Sequence, residues 1–324
     1  MALRPSTRAR TAALGAACAG ITLIGVAGSS GTMLASATPA ASHHMVKKPA
    51  AQRPVVKGSG YLALGDSVTF GYRESNAIPT TRNNYNKPRT FVGYPEDIQR
   101  NLGLKVANLA CPGETSASLI NPKKPSNGCE NSPSTTGQTP VGYATNFPLH
   151  FKYKDTKASN GQLATAVRYL KAHPNTRLVS LMIGANDGFL CQEKGGCTTL
   201  AEFNAVLTKI GKNVTHTLKA IRNNAHYTGQ IVIVQYYSLD YSNSTDTLQS
   251  NSLNGAMENA AKPFHVRIAK SFALFKKAAA QAGGDACKAQ LLTQLKNGTT
   301  TCGVHPSVSG QALLAQAVEA AIKK

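Results

Sequence analysis

Tyr61-Leu62-Ala63-Leu64-Gly65-Asp66-Ser67-Val68 reads as a short apolar strand that ends on a glycine and hands a serine to a sharp loop. Glycine stands where the backbone must turn, and no bulky neighbour shields the Ser67 hydroxyl. A serine is a weak nucleophile unless a base takes its proton. The reading therefore turns on whether the remaining sequence supplies a base and donors for an oxyanion.

Working outward, the chain alternates further apolar runs with amphipathic stretches. Strands are expected over 61–64, 105–110, 178–183 and 231–236. The unbroken apolar character of Leu178-Val179-Ser180-Leu181-Met182-Ile183 and Ile231-Val232-Ile233-Val234 suits strands covered on both faces, as in a parallel sheet. Helices are expected over 95–102, with Pro95 in the first turn and Gly103 just beyond the end, a start-and-stop signature. Others are expected over 162–171, over 200–223 and around 257–282. A last helix, capped by Ser309, carries Leu313, Leu314, Ala317, Val318, Ala321 and Ile322 as one stripe, with Lys323-Lys324 at its negative end. This alternation predicts a doubly wound α/β fold, a three-layer α/β/α sandwich on a parallel sheet. Active sites in such sheets gather outside the carboxyl ends of the strands.

The start of the chain reads as an address rather than as fold. Arg4, Arg8 and Arg10 precede an uncharged stretch, 11–37, that closes on Ala35-Ser36-Ala37. That is the pattern of a cleaved secretory signal over 1–37. Residues 38–57, rich in Ala, Pro, Ser, His and Lys, read as a flexible linker, which leaves 58–324 as the folded domain. Of the net charge of +20, seven positives lie before Gly58, so the domain holds 28 bases against 15 acids. Such a balance suits loose association with an anionic cell surface, cell-wall polymers or lipid headgroups. No Lys/Arg run with interleaved aromatics points to nucleic acid. Beyond Cys18 there are six cysteines, which permit 15 connectivities. Spacing favours the neighbours Cys111 with Cys129, Cys191 with Cys197 and Cys287 with Cys302, as expected of an exported protein.

Four blocks carry the chemistry. They are Gly65-Asp66-Ser67-Val68, Gly113 within Ala110-Cys111-Pro112-Gly113-Glu114-Thr115, Gly184-Ala185-Asn186-Asp187, and His305-Pro306 ahead of the last helix. In this order and spacing they resemble the SGNH (GDSL) hydrolase family, most of all its secreted actinobacterial lipases and esterases. The resemblance covers essentially the whole domain and implies a flavodoxin-like sheet. It also implies Ser67 as nucleophile, His305 as general base, and an oxyanion hole from the Ser67 and Gly113 backbone N–H groups and the Asn186 amide. Asp66 and Asp187 are expected to brace the Ser67 and Asn186 loops, and Glu114 is not expected to act chemically. No metal or organic cofactor is implied.

One position departs from the family pattern. Members with a full triad carry Asp three residues before the histidine, where this chain has Cys302. The expectation is therefore a dyad without a carboxylate. A backbone carbonyl would hold His305, with Asp240 as the more distant alternative and a Cys287–Cys302 bridge stiffening the loop. The polar stretches 72–89 and 121–157 are expected to wall the pocket. Tyr143, Phe147, Phe151 and Tyr153 would line an acyl chain, offer platforms on which a sugar stacks, or form small satellite cores. The function implied is a carboxylic-ester hydrolase, monomeric and secreted, acting on an acyl ester of a lipid, a small molecule or a polysaccharide. A carbohydrate or cell-wall O-acetyl esterase is the near alternative, and a non-catalytic binding module on a hydrolase scaffold is the alternative of another class.

Overall fold

The computed structural model describes residues 52–134, 137–139, 142–152 and 161–324. The segment 1–37, most of the 38–57 stretch and Tyr153 lie outside the described residues. Among the described residues nine strands form: β1 (Gly60–Gly65), β2 (Lys105–Asn108), β3 (Ser132–Ser134), β4 (Gly137–Thr139), β5 (Thr176–Met182), β6 (Gln230–Val234), β7 (Arg267–Ala269), β8 (Leu292–Gln294) and β9 (Cys302–Pro306). Five of them make one sheet in the order β2-β1-β5-β6-β7. Every pairing in it is parallel, with Leu62 opposite both Ala107 and Val179, Val179 opposite Ile231, and Ile233 opposite Ile268. The strand β3 pairs with β4, and β8 with β9, as separate antiparallel hairpins.

Tyr61, Leu62, Ala63 and Leu64 in β1, and Ile231, Val232, Ile233 and Val234 in β6, are wholly buried. This is what continuous apolar strands demand, since each face of the sheet must be covered. The helices Tyr94–Leu102 and Val308–Ala321 pack on each other, and Ser271–Ala279 joins them. A second group consists of Leu200–Lys219 against Ser244–Ala261, with the short Ser116–Ile120 helix touching both Leu200–Lys219 and Gln162–Ala172. The result is an α/β/α sandwich.

Beyond strand ends shifted by one or two residues, the structure departs from the sequence reading at three places. The stretch around 257–282 is not one helix: Ser244–Ala261 ends there, a left-handed turn at His265 follows, and β7 and the Ser271–Ala279 helix succeed it. The last helix is capped by Ser307, whose hydroxyl accepts from the Gly310 N–H, rather than by Ser309, which lies inside its first turn. The end of the expected linker is docked: Val55 is buried, its N–H donates to the Lys323 carbonyl, and the Arg53 carbonyl accepts from Gln230. The Gln52 side chain also donates to the His265 carbonyl at 3.0 Å, so the segment is held at several points.

Candidate active site

Ser67 opens a single helical turn, Ser67–Phe70, directly beyond β1. Gly65 permits the approach: its φ is +152°, and a Cβ there would meet the Met182 carbonyl and the Thr69 hydroxyl, each at 2.4 Å. Asp66 caps the turn. One of its oxygens accepts from the Val68 N–H at 3.0 Å and the other from the Tyr236 hydroxyl at 2.5 Å. Burial pushes this carboxyl up to about 6, against the opposing pull of those two donors. Its role is to brace the turn, and Ser67 is left partly exposed.

Two neighbouring loops close on the serine. Gly113 has φ +82°, and a Cβ there would meet the Asn127 carbonyl at 2.4 Å, so only glycine fits. The Asn127 N–H donates to the Gly113 carbonyl at 2.7 Å, and the Asn127 side-chain amide donates to Asn186 Oδ1 at 3.3 Å. With its oxygen engaged, the buried Asn186 presents its N–H2 end elsewhere. Among the described residues no protein acceptor takes the Ser67 N–H, the Gly113 N–H or Asn186 Nδ2.

The frame beneath is a buried polar network. Gln162 accepts from the Gly65 N–H at 2.7 Å and donates to the Gly65 carbonyl at 3.0 Å and to Glu114 at 2.9 Å. Glu114 also accepts from the Ser118 hydroxyl. Asp187 braces a different loop from the one expected, taking the Ser116 N–H and hydroxyl, each at 2.7 Å, one turn past Gly113. Burial holds the Glu114 carboxyl well above the usual range and that of its neighbour Glu130 up to about 7.

The histidine arrives from outside the sheet. His305 lies on β9, and its Nε2 stands 2.9 Å from Ser67 Oγ. Its Nδ1 stands 2.8 Å from Glu74 Oε1, which also accepts the His305 backbone N–H at 3.1 Å. This corrects the carboxylate-free dyad: neither a carbonyl nor Asp240 meets the imidazole. Asp240 accepts instead from the Ser242 N–H and hydroxyl, at 2.8 and 2.6 Å. The physical reason lies at Gly303. A Cβ there would fall 1.8 Å from Glu74 Oε1, so glycine opens the space through which the carboxylate reaches the ring. The Tyr237 hydroxyl fixes the strand by donating to the Val304 carbonyl at 2.5 Å, and the Tyr72 ring leans on the imidazole at 4.8 Å.

A family model for GDSL-like lipases and acylhydrolases matches residues 63–313. The chain belongs to the GDSL-like lipase/acylhydrolase family. Among solved structures, the lipase Lip_vut3 from a goat rumen metagenome is 13% identical with a TM-score of 0.48, over 81% of this chain and 96% of that one. A variant of the acetyl xylan esterase Axe2 from Geobacillus stearothermophilus is 17% identical with a TM-score of 0.42, over 82% and 94%. Comparison with curated proteins found no match.

Within this GDSL-family domain the remaining expected features fall as follows. The sulfurs of Cys111 and Cys129 lie 1.99 Å apart, those of Cys191 and Cys197 2.16 Å, and those of Cys287 and Cys302 1.94 Å. The last pair ties β9 back to the loop before β8. Tyr143 belongs to a satellite core with Phe70, Tyr85 and Phe91, against which the half-buried Phe147 packs; Phe147 also lines a surface pocket with Leu149 and Phe151, and Phe151 packs edge-on against Tyr169. His150 Nε2 meets the Phe70 carbonyl at 3.1 Å, a structural contact. Glu74 is the residue that sequence reasoning missed. It is the only acid between Ser67 and Glu96, but nothing local ties it to His305.

Proposed function

We propose that this protein is a secreted carboxylic-ester hydrolase that works through a Ser67 acyl-enzyme. The observation that carries the reading is the continuous line from Ser67 Oγ through His305 to Glu74, at 2.9 and 2.8 Å. In this reading His305 donates Nδ1–H to Glu74, which leaves Nε2 free to take the Ser67 proton as Oγ attacks the ester carbonyl. The Ser67 and Gly113 N–H groups and Asn186 Nδ2 stabilise the tetrahedral oxyanion, and loss of one such donor costs about 2.7–4 kcal/mol in the barrier. His305 then protonates the leaving alcohol, and water repeats the cycle on the acyl-enzyme. Glu74 holds the ring and steadies the imidazolium. Its second oxygen is buried without a hydrogen-bond partner among the described residues, an arrangement tolerated at functional sites.

Export is supported by the basic, then apolar, then small-residue start and by the three cysteine pairs at bonding distance. No helix among the described residues is long and apolar enough to cross a membrane. The test is a series of chromogenic acyl esters with the wild type and Ser67→Ala. We expect turnover to fall by about 10⁴-fold or more in the variant. Equal rates from both proteins would overturn the reading, and the chain-length profile would separate acetyl from long-acyl substrates.

A further inference from the structure

The buried Asn186 side chain has two poses, and its surroundings must settle which one it takes. A carboxamide carries an oxygen at one end and an N–H2 group at the other, and the two ends take up nearly the same space. In the Ser67 cleft the poses have opposite effects. An N–H2 end stabilises a developing oxyanion, whereas a carbonyl oxygen in its place repels it. Among the described residues one hydrogen bond reaches this side chain, from Asn127 Nδ2 to Asn186 Oδ1 at 3.3 Å. It engages the oxygen, and the N–H2 end is left for the cleft.

Asn127 is an amide too, so its own orientation needs a cause. Glu193 supplies one. It closes the helix Ala185–Glu193, in which Asn186 stands near the start. The spacing between the two is close to two full turns, which puts both side chains on one face of the helix. Burial raises the Glu193 carboxyl, and hydrogen bonding from the Asn127 side chain opposes that rise. A carboxylate only accepts, so it selects the N–H2 end of Asn127. That nitrogen carries two hydrogens, one for Glu193 and one for Asn186 Oδ1. The main chain holds the arrangement in place. The Asn127 N–H donates to the Gly113 carbonyl at 2.7 Å. Cys111, just before Gly113, pairs with Cys129, just after Asn127, and Cys191 beside Glu193 pairs with Cys197. A side-chain change at 127 therefore leaves the Gly113 contact, which is main chain on both sides, as it was.

We propose that Asn127 is a positioning residue for the ester hydrolysis: with its own amide set by Glu193, it turns Asn186 Nδ2 toward the oxyanion. The proposal rests on the esterase reading, since the polarity of Asn186 matters to the rate only if an oxyanion forms beside it.

The test measures kcat and KM on a short soluble acyl ester, with changes at 127 made singly and together with Asn186→Ala. We expect Asn127→Ala to lower kcat about tenfold with KM little changed, the scale of one lost hydrogen bond. Asn127→Asp should be worse, by about 10²-fold or more, because a carboxylate draws Asn186 Nδ2 to itself and leaves Oδ1 facing the oxyanion. Glu193→Gln, which can offer Asn127 either end of its amide, should lower kcat by roughly threefold. With Asn186→Ala already in place, Asn127→Ala should cost less than about twofold further, because no amide is left to orient. A merely structural role would carry its full cost into that background. Asn127→Ser, too short to reach Asn186, is measured beside alanine so that one poorly folded variant does not decide the outcome. Equal losses with and without Asn186, or wild-type kcat in both Asn127→Ala and Asn127→Ser or in Glu193→Gln, overturn the proposal and leave the esterase standing. A wild type no faster than Ser67→Ala removes both.

Discussion

The two halves of the site are built by opposite means. Ser67, Gly113 and Asn186 ride on ends of sheet strands and are braced from below by Asp66, Gln162, Glu114 and Asp187, all buried and hydrogen-bonded. His305 and Glu74 come from a two-stranded hairpin and a long loop outside the sheet, joined to each other by the carboxylate contact and by Asn76 donating to Asn297, while Tyr237 and the Cys287–Cys302 pair tie the hairpin to its other neighbours. The Ser67 half, which carries the proposed nucleophile, inherits its geometry from the core. The base half has to make its own, and Gly303 and the ring contacts of Tyr72 are where it does so.

The comparison breaks most readily at Glu74. Glu74→Gln keeps the shape but removes the charge, and kcat on a soluble ester should fall by about 10²–10⁴-fold with KM little changed. Glu74→Asp should recover part of the loss, and Asp240→Asn should lose nothing. A Glu74→Gln enzyme running at the wild-type rate would mean that the hairpin alone orients His305. On the other half, Asn186→Ala should cost about 10²–10³-fold in kcat, and an unchanged rate would remove the side-chain amide from the oxyanion hole.

Smaller effects sharpen the contrast. Cys287→Ser with Cys302→Ser should lower stability by up to about 3 kcal/mol, the chain-entropy value for a loop of this length, read as a shift in the denaturant midpoint. If the base half depends on it more than the nucleophile half does, activity should be lost at lower denaturant than the near-ultraviolet signal of the core. The smallest effect concerns pH. Burial raises the Glu130 carboxyl to about 7, above its unfolded value, so its contribution to stability is complete below the ordinary carboxylate pKa and is lost as pH rises through about 7. Thermal scans should show Tm declining by a few degrees across that window, and Glu130→Gln should flatten the decline; a slope identical in both proteins would exclude Glu130 as its source.

Legibility in the sequence follows the same division. The strands β1, β2, β5 and β6 announce themselves as apolar runs, and each block that ends one of them could be placed at the site before any coordinates. The strand β7 could not, because three residues at a sheet edge, Arg267, Ile268 and Ala269, carry no periodicity that separates them from the helices on either side. Glu74 was equally hidden. Its contact with His305 spans 231 residues and joins a loop to a hairpin, so no local pattern encodes it. Tyr143, buried, and Phe147, at the rim of a pocket, show the same limit, since an aromatic in a polar loop looks alike whether it lines a pocket or fills a small core.

The distance between Ser67 and His305, 238 residues, has a consequence for the life of the chain. Synthesis runs from the amino end, so the serine, its glycine turn and Glu74 are all made long before the histidine that would arm them. Until the β8–β9 hairpin folds back over Glu74, the half-made protein holds a harmless hydroxyl. In the proposed mechanism activity switches on only when the last elements dock, so a chain that stalls or is clipped before Cys302 would be an inert body rather than a stray hydrolase.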